Sequence, residues 1–232
     1  MADVSRRRLI RGSAGAFGVV ALAALVGCER MLPAAAFKAV DITGANYALD
    51  FDLPDADGQR RRLADFKGKL VLVFFGFTHC PDVCPTTLLE LAEARKLLGA
   101  DGARVQGLFV TVDPERDTAV LLKAYVGTFG ADFVALRGTA DETKATAKHF
   151  KVYYAKVPGQ TPGSYTVDHT AGSYVFDTKG KVRLFTRYGV GAQALADDLK
   201  LLLAPRLQQS ASQTSEMSQW NQGLGRASLR IV

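Results

Sequence analysis

Two of the chain's three cysteines, Cys80 and Cys84, stand with three residues between them in "FFGFTHCPDVCPTT" (residues 74–87). Thiols this close support two kinds of chemistry. They can exchange electrons through a disulfide if the turn brings their Cα atoms within about 7 Å, or they can hold a metal as thiolates. A purely structural disulfide is a poor reason for the pair, because a short closed loop restricts the unfolded chain little. The spacing is wider than the C-x-x-C of common redox motifs, and it also lets two sulfurs spread around an ion.

Two thiolates make an incomplete metal site, and the chain offers three histidines. His79 adjoins Cys80, but neighbouring side chains in an extended loop diverge. His149 falls in a helical pattern beside Phe150 and reads as a surface or packing residue. His169 lies in "SYTVDHTAGSYVFD" (residues 164–177), just before an apolar strand, in a loop able to approach the cysteine turn. Pattern alone leaves His169 open between a ligand and a histidine satisfied by its surroundings.

The elements around these residues must position them. "KGKLVLVFFGF" (residues 67–77) is a nearly continuous apolar run and predicts a strand buried on both faces. The cysteines then emerge at the carboxyl edge of a sheet, where open α/β sheets place ligands. Pro85 suits the first helical position, and Cys84, before a proline, is discouraged from helical angles. A folded turn leading into a helix over residues 86–98 is therefore expected. Both sulfurs would lie near its positive N-terminus, where thiol pKa values fall.

Upstream, "YALDFDL" and "QRRRLADF" flank a turn signal and predict a β-hairpin. Downstream, residues 103–113 predict a second buried strand. Residues 117–130 predict a helix with Asp117 as N-cap. A short strand over "DFVALRG", a helix over "DETKATAKHF", strands over "KVYYAKV", "GSYVFD" and "KVRLFTRYG", and a helix over "AQALADDLKLLLA" follow. This order implies an α/β sandwich with a mixed sheet flanked by helices.

"FFGFTHCPDVCPTT", "VTVDPERDT" (residues 110–118) and "VDHTAGSYVFDTKGKV" (residues 167–182) together resemble the Sco/SenC family of copper-binding assembly proteins. C-x-x-x-C-P after an apolar strand, with an Asp-His pair 85 residues beyond the second cysteine, is a specific combination. The resemblance covers roughly residues 47–204. It implies a thioredoxin-like fold with an added hairpin. It also implies copper ligation by Cys80, Cys84 and His169, about one ion of Cu(I) or Cu(II) per chain. The implied role is delivery of copper to, or thiol reduction of, the dinuclear copper site of cytochrome c oxidase subunit II. The family's Asp-Pro segment falls on Asp113 and Pro114, and Asp113 is assigned to ordering loops near the site. Asp168 is a candidate partner orienting His169.

Three rival chemistries share these residues. A metal-independent thiol–disulfide oxidoreductase needs only Cys80 and Cys84. A zinc site can use two sulfurs and one nitrogen. A peroxidase is disfavoured, since no motif places an Arg or Thr to activate a peroxide at Cys80. The reading that fits best is a carrier rather than a turnover enzyme, with no catalytic residue assigned.

The N-terminus bears on compartment. Arg6, Arg7, Arg8 and Arg11 precede an uncharged stretch over residues 12–27, short for a membrane span and suited to a signal peptide. "SRRRLIR" resembles a twin-arginine signal, and "LVGC" resembles a lipobox that would place a lipid on Cys28. The expected organisation is a signal over 1–27, a tether over 28–45, the domain over 46–204 and a disordered tail over 205–232. The protein would face the periplasm of a bacterial envelope, anchored through lipid, the alternative being that the apolar stretch is kept as an uncleaved anchor helix. Removing residues 1–27 takes away four arginines and one aspartate, so a formal charge of +6 falls to +3. Beyond residue 27 the basic run is Arg60–Arg62, too little for a nucleic-acid footprint. The expected partners are cytochrome c oxidase subunit II or another exported copper protein.

Overall fold

The computed structural model of the chain describes residues 36–204, and the expected signal, Cys28 and the 205–232 tail lie outside them. The strands are β1 (Val40–Asp41), β2 (Leu53–Pro54), β3 (Arg60–Arg61), β4 (Leu70–Gly76), β5 (Val105–Thr111), β6 (Val134–Leu136), β7 (Tyr154–Pro158), β8 (Tyr165–His169), β9 (Gly172–Phe176) and β10 (Val182–Arg187). The helices are α1 (Val83–Leu97), α2 (Ala119–Gly127), α3 (Ala140–His149) and α4 (Ala192–Leu203). Six strands form one mixed sheet in the order β1-β10-β9-β4-β5-β6, while β2–β3 and β7–β8 are separate two-stranded ribbons.

The apolar runs decide the centre of the sheet. Every residue of β4 and of β5 is buried, as expected of strands covered on both faces. They pair in parallel from Leu70 opposite Val105 to Gly76 opposite Thr111. Both therefore end at the same edge, and the chain leaving each one enters the same neighbourhood. Strand β9 runs antiparallel to β4 on its other side, with Phe74 opposite Ser173, so it begins at that edge. The turn after β4, the loop after β5 and the entry to β9 converge there. This is the α/β sandwich with a mixed sheet that the element order predicts.

Four expectations change. Helix α1 begins at Val83 rather than residue 86, so Cys84 lies in its first turn despite the proline that follows. Pro85 is tolerated at the third helical position because first-turn N–H groups have no intrahelical partner. The predicted hairpin over "YALDFDL" and "QRRRLADF" shrinks to two residue pairs, Leu53 with Arg61 and Pro54 with Arg60. Aspartate side chains take up the rest of the ribbon: Asp50 Oδ1 accepts the N–H of Leu63 at 3.0 Å, and Asp52 pairs with Arg60 and Arg62. Such side chains compete with ladder hydrogen bonds. Asp55 similarly holds Arg61 at 2.8 Å, so acids neutralise the run Arg60–Arg62. The segment before residue 170 is not a loop but strand β8, paired with β7 from Tyr154–His169 to Pro158–Tyr165.

The fourth change concerns the tether. Residues 38–42 belong to the folded domain: β1 pairs with β10, and Ile42 N–H donates to the Arg183 carbonyl at 2.8 Å. Buried Asp198 of α4 accepts the N–H groups of Lys38 and Ala39 at 2.9 and 2.8 Å. A carboxylate buried there needs donors, and this edge segment supplies them. Asp198→Ala is expected to lower unfolding stability by about 2 kcal/mol, since it removes hydrogen bonds to a charged group, and to speed hydrogen exchange at residues 38–42. Unchanged exchange there would show that the segment does not depend on Asp198.

Candidate metal centre

Glycine at the end of β4 makes room for a sulfur. A Cβ at Gly76 would lie 2.7 Å from Cys84 Sγ and 2.9 Å from the rings of Phe74 and Phe109. Real Cβ contacts are never that close, so only glycine lets the Cys84 sulfur tuck beneath the strand end. Cys84 is fully buried there, whereas Cys80 remains partly exposed. The Cys84 N–H donates to Cys80 Sγ at 3.4 Å. Asp82 at the N-cap makes no side-chain capping bond, so the Cys80 sulfur serves one of the helix's otherwise unpaired donors.

The third group arrives on a different sheet. His169 ends β8, and its Nε2 lies 3.4 Å from Cys84 Sγ. One donor atom from each of Cys80, Cys84 and His169 fits within 4.8 Å of the others, the one such group of His, Cys, Asp and Glu donors among the described residues. The imidazole packs edge-on against Phe74 and Phe77, with ring centroids 5.8 and 5.9 Å apart. Its Nδ1 faces the Thr170 carbonyl at 3.2 Å. An N–H at Nδ1 would satisfy that carbonyl and leave the Nε2 lone pair facing the sulfurs, the tautomer a metal ligand needs.

The two sulfurs are electrostatically unlike. A hydrogen bond from the Cys84 thiol pulls Cys80 well below the ordinary thiol range, against its partial burial. His169 and the N–H groups of Cys84 and Asp82 act in the same direction. Burial pushes Cys84 the opposite way, and the neighbouring Cys80 adds to it. The pair thus resembles one partly exposed thiolate and one buried thiol that gives it a hydrogen bond.

The other expected residues sort as follows. His79 is exposed, with Nδ1 3.1 Å from Thr78 Oγ1, and stands outside the donor group. His149 accepts the Leu49 N–H at 3.1 Å and rests against Phe150. Asp168 is exposed, one position from His169 in a strand where Val167 is buried, so the period of two turns it away from the imidazole. The Thr170 carbonyl occupies the orienting position expected of Asp168. Asp113 is fully buried, accepting from Arg116 Nε at 2.5 Å and from the Tyr165 hydroxyl at 2.9 Å.

Sequence reasoning missed Asp117. Thr118 caps α2 in its place, accepting the N–H of Leu121. Asp117 is instead fully buried, accepting from Thr78 N, Thr78 Oγ1 and Thr111 Oγ1 at 3.1, 2.6 and 2.6 Å. It ties the base of the cysteine turn to the end of β5. The clustering of Asp, Arg and Thr in "VTVDPERDT" was the available signal.

Residues 40–204 match the SCO1/SenC family model. Among curated relatives, the SCO2-like protein of Rickettsia felis is 38% identical over 133 residues, covering 57% of this chain and 65% of the relative. The mitochondrial SCO2 homolog of Danio rerio is 44% identical over 133 residues, covering 56% and 48%. These matches span about half to two thirds of the curated relatives' lengths. Among solved structures, Bradyrhizobium japonicum ScoI with copper bound aligns with a TM-score of 0.60 and 39% identity, covering 66% of this chain and 98% of that one. Yeast Sco1 with copper bound aligns with a TM-score of 0.61 and 31% identity, covering 69% and 92%. The mixed sheet with its flanking helices is the thioredoxin-like fold of those proteins. A family match that begins at β1, ends at α4 and takes in the whole cysteine–histidine constellation leads to one conclusion: this chain belongs to the SCO1/SenC family.

Proposed function

We propose that the protein binds one copper ion through Cys80, Cys84 and His169, outside the cytoplasm. It delivers that ion to the dinuclear copper site of cytochrome c oxidase subunit II, or to another exported copper protein. The observation that carries this reading is the meeting of three ligand atoms from positions as much as 89 residues apart in the chain. Soft thiolates select Cu(I), and imidazole suits both copper oxidation states. Two sulfurs and one nitrogen therefore form a donor set able to keep copper through a change of oxidation state. Partial exposure of Cys80 gives an acceptor's ligands a place to begin exchange. The copper-bound ScoI and yeast Sco1 structures support the choice of metal over zinc.

A second reading uses the same sulfurs without metal, and the asymmetry of the pair favours it. The Cys80 thiolate would attack one sulfur of a partner disulfide, forming a mixed disulfide and releasing the partner's other thiolate. Cys84 would then displace the second partner thiolate, leaving a Cys80–Cys84 disulfide and a reduced partner, two electrons having moved. Bound copper and that disulfide exclude each other, so one site can serve delivery and thiol reduction in turn.

The reading also places the protein on a membrane surface through a lipid on Cys28. Among the described residues no helix is long and apolar enough to cross a membrane.

Three outcomes follow. Metal analysis of the full chain is expected to show about one copper per wild-type molecule and strongly reduced retention in Cys80→Ser and His169→Ala; wild-type retention in both would remove the ligand set. In metal-free reduced protein at neutral pH, iodoacetamide is expected to label Cys80 well before Cys84, as exposure governs access; equal rates would contradict the asymmetry. Gly76→Ala is expected to cost about 1–3 kcal/mol of stability through overpacking and to weaken copper binding by displacing Cys84 Sγ. Wild-type copper affinity in that variant would mean the sulfur does not need the space.

A further inference from the structure

The β7–β8 ribbon that carries His169 shares no ladder with the six-stranded sheet that carries the cysteines. Its His169 end is tied by the short link into β9 and by buried Val167, and its other end is held by side chains. At the far end of β8 from His169, Arg116 grips Tyr165 in two ways. Its Nη1 donates to the Tyr165 carbonyl at 2.8 Å, and its guanidinium carbon stands 3.7 Å from the Tyr165 ring centroid. Arg116 Nε is paired with buried Asp113 at 2.5 Å, and Asp113 also accepts the Tyr165 hydroxyl at 2.9 Å. The guanidinium further lies 5.8 Å from the ring of Phe77, which packs on the His169 imidazole.

The clasp continues into the cysteine half of the site. The Asp113 N–H donates to Thr111 Oγ1 at 3.0 Å, Thr111 Oγ1 donates to Asp117, and Asp117 accepts from Thr78 at the base of the cysteine turn. One polar chain thus runs from the histidine ribbon to the sulfur turn. It leaves Arg116 Nη2 buried with no partner among the described residues. An orphaned donor is unfavourable, so the arrangement serves position more than stability.

We propose that Arg116 is the positioning residue of the copper site: by clasping Tyr165 against Asp113 it holds the β7–β8 ribbon where His169 reaches the sulfurs. The inference rests on the reading that Cys80, Cys84 and His169 bind copper, and it adds how the histidine is kept in reach. Loss of the Arg116 end of the clasp acts on the imidazole, because the Thr111–Asp117–Thr78 bonds that hold the cysteine turn do not involve Arg116. Groups that support a metal ligand without touching the metal typically contribute 10- to 100-fold in affinity.

The test is Cu(II) titration of the full chain against a competing chelator. It follows the thiolate-to-copper charge-transfer band and the nitrogen couplings in the electron paramagnetic resonance spectrum. Arg116→Met is expected to weaken binding about 10- to 100-fold and to move the spectrum toward that of His169→Ala, with Arg116→Lys in between. In the Arg116→Met/His169→Ala double variant, affinity is expected to equal that of His169→Ala, because an effect exerted through His169 vanishes when His169 is absent. The same fold-loss from Arg116→Met in both backgrounds, or a wild-type spectrum and affinity in Arg116→Met, would overturn the proposal. If Arg116→Met does not fold, Tyr165→Phe, which removes only the hydroxyl bond to Asp113, carries the test beside Arg116→Lys. Wild-type spectra in both would overturn it equally. A His169→Ala protein with wild-type affinity and spectrum would instead sink the ligand reading beneath it.

Discussion

The site depends on one spatial constraint: an imidazole borne on an independent ribbon must reach two sulfurs fixed at the end of a buried strand. The sulfur half is rigid by construction. Strands β4 and β5 are buried throughout, Gly76 leaves Cys84 Sγ a space with no slack, and α1 starts on the Cys80 sulfur. The histidine half has no such ladder behind it. His169 is placed by ring contacts with Phe74 and Phe77 and by side chains from the loop after β5 that hold the start of β8. Aromatic packing of this kind fixes a ring edge-on without consuming its nitrogens, which leaves Nε2 for the sulfurs or a metal.

The same arrangement accounts for the unequal thiols. Burial favours the neutral form of Cys84, and that neutral thiol becomes a donor to Cys80. Helix start, histidine and buried thiol all direct positive or hydrogen-bonding character at one partly exposed sulfur. A metal entering from solvent would meet the partly exposed Cys80 and His169 before the buried Cys84 sulfur. A partner disulfide would meet the Cys80 sulfur. The proposed delivery and the proposed thiol reduction would therefore share an entrance, which is why one fold supports both readings.

Much of this was legible in the sequence because its signals are local. The apolar run ending at Gly76 marked a central strand, and the cysteine spacing marked the turn. The position of His169 relative to an apolar strand, with the family resemblance, singled it out as the third member of the group that the fold brings together. What escaped was decided by tertiary contact. Cys84 enters the helix with its N–H on the Cys80 sulfur, against the local bias before proline. Asp117 is a satisfied buried acid instead of a cap because Thr118 stands one residue nearer the helix. Asp168 faces away because its segment is a strand and not the loop its composition suggested. The grip of Arg116 on Tyr165 joins residues 49 apart, and no local pattern connects them.

X-ray absorption spectroscopy of the copper-loaded full chain reads the atoms around the metal. A shell of two sulfurs with an imidazole nitrogen is expected, the nitrogen disappearing in His169→Ala. A shell of sulfur alone in the wild-type protein, or a nitrogen that persists after His169 is removed, would contradict that ligand set.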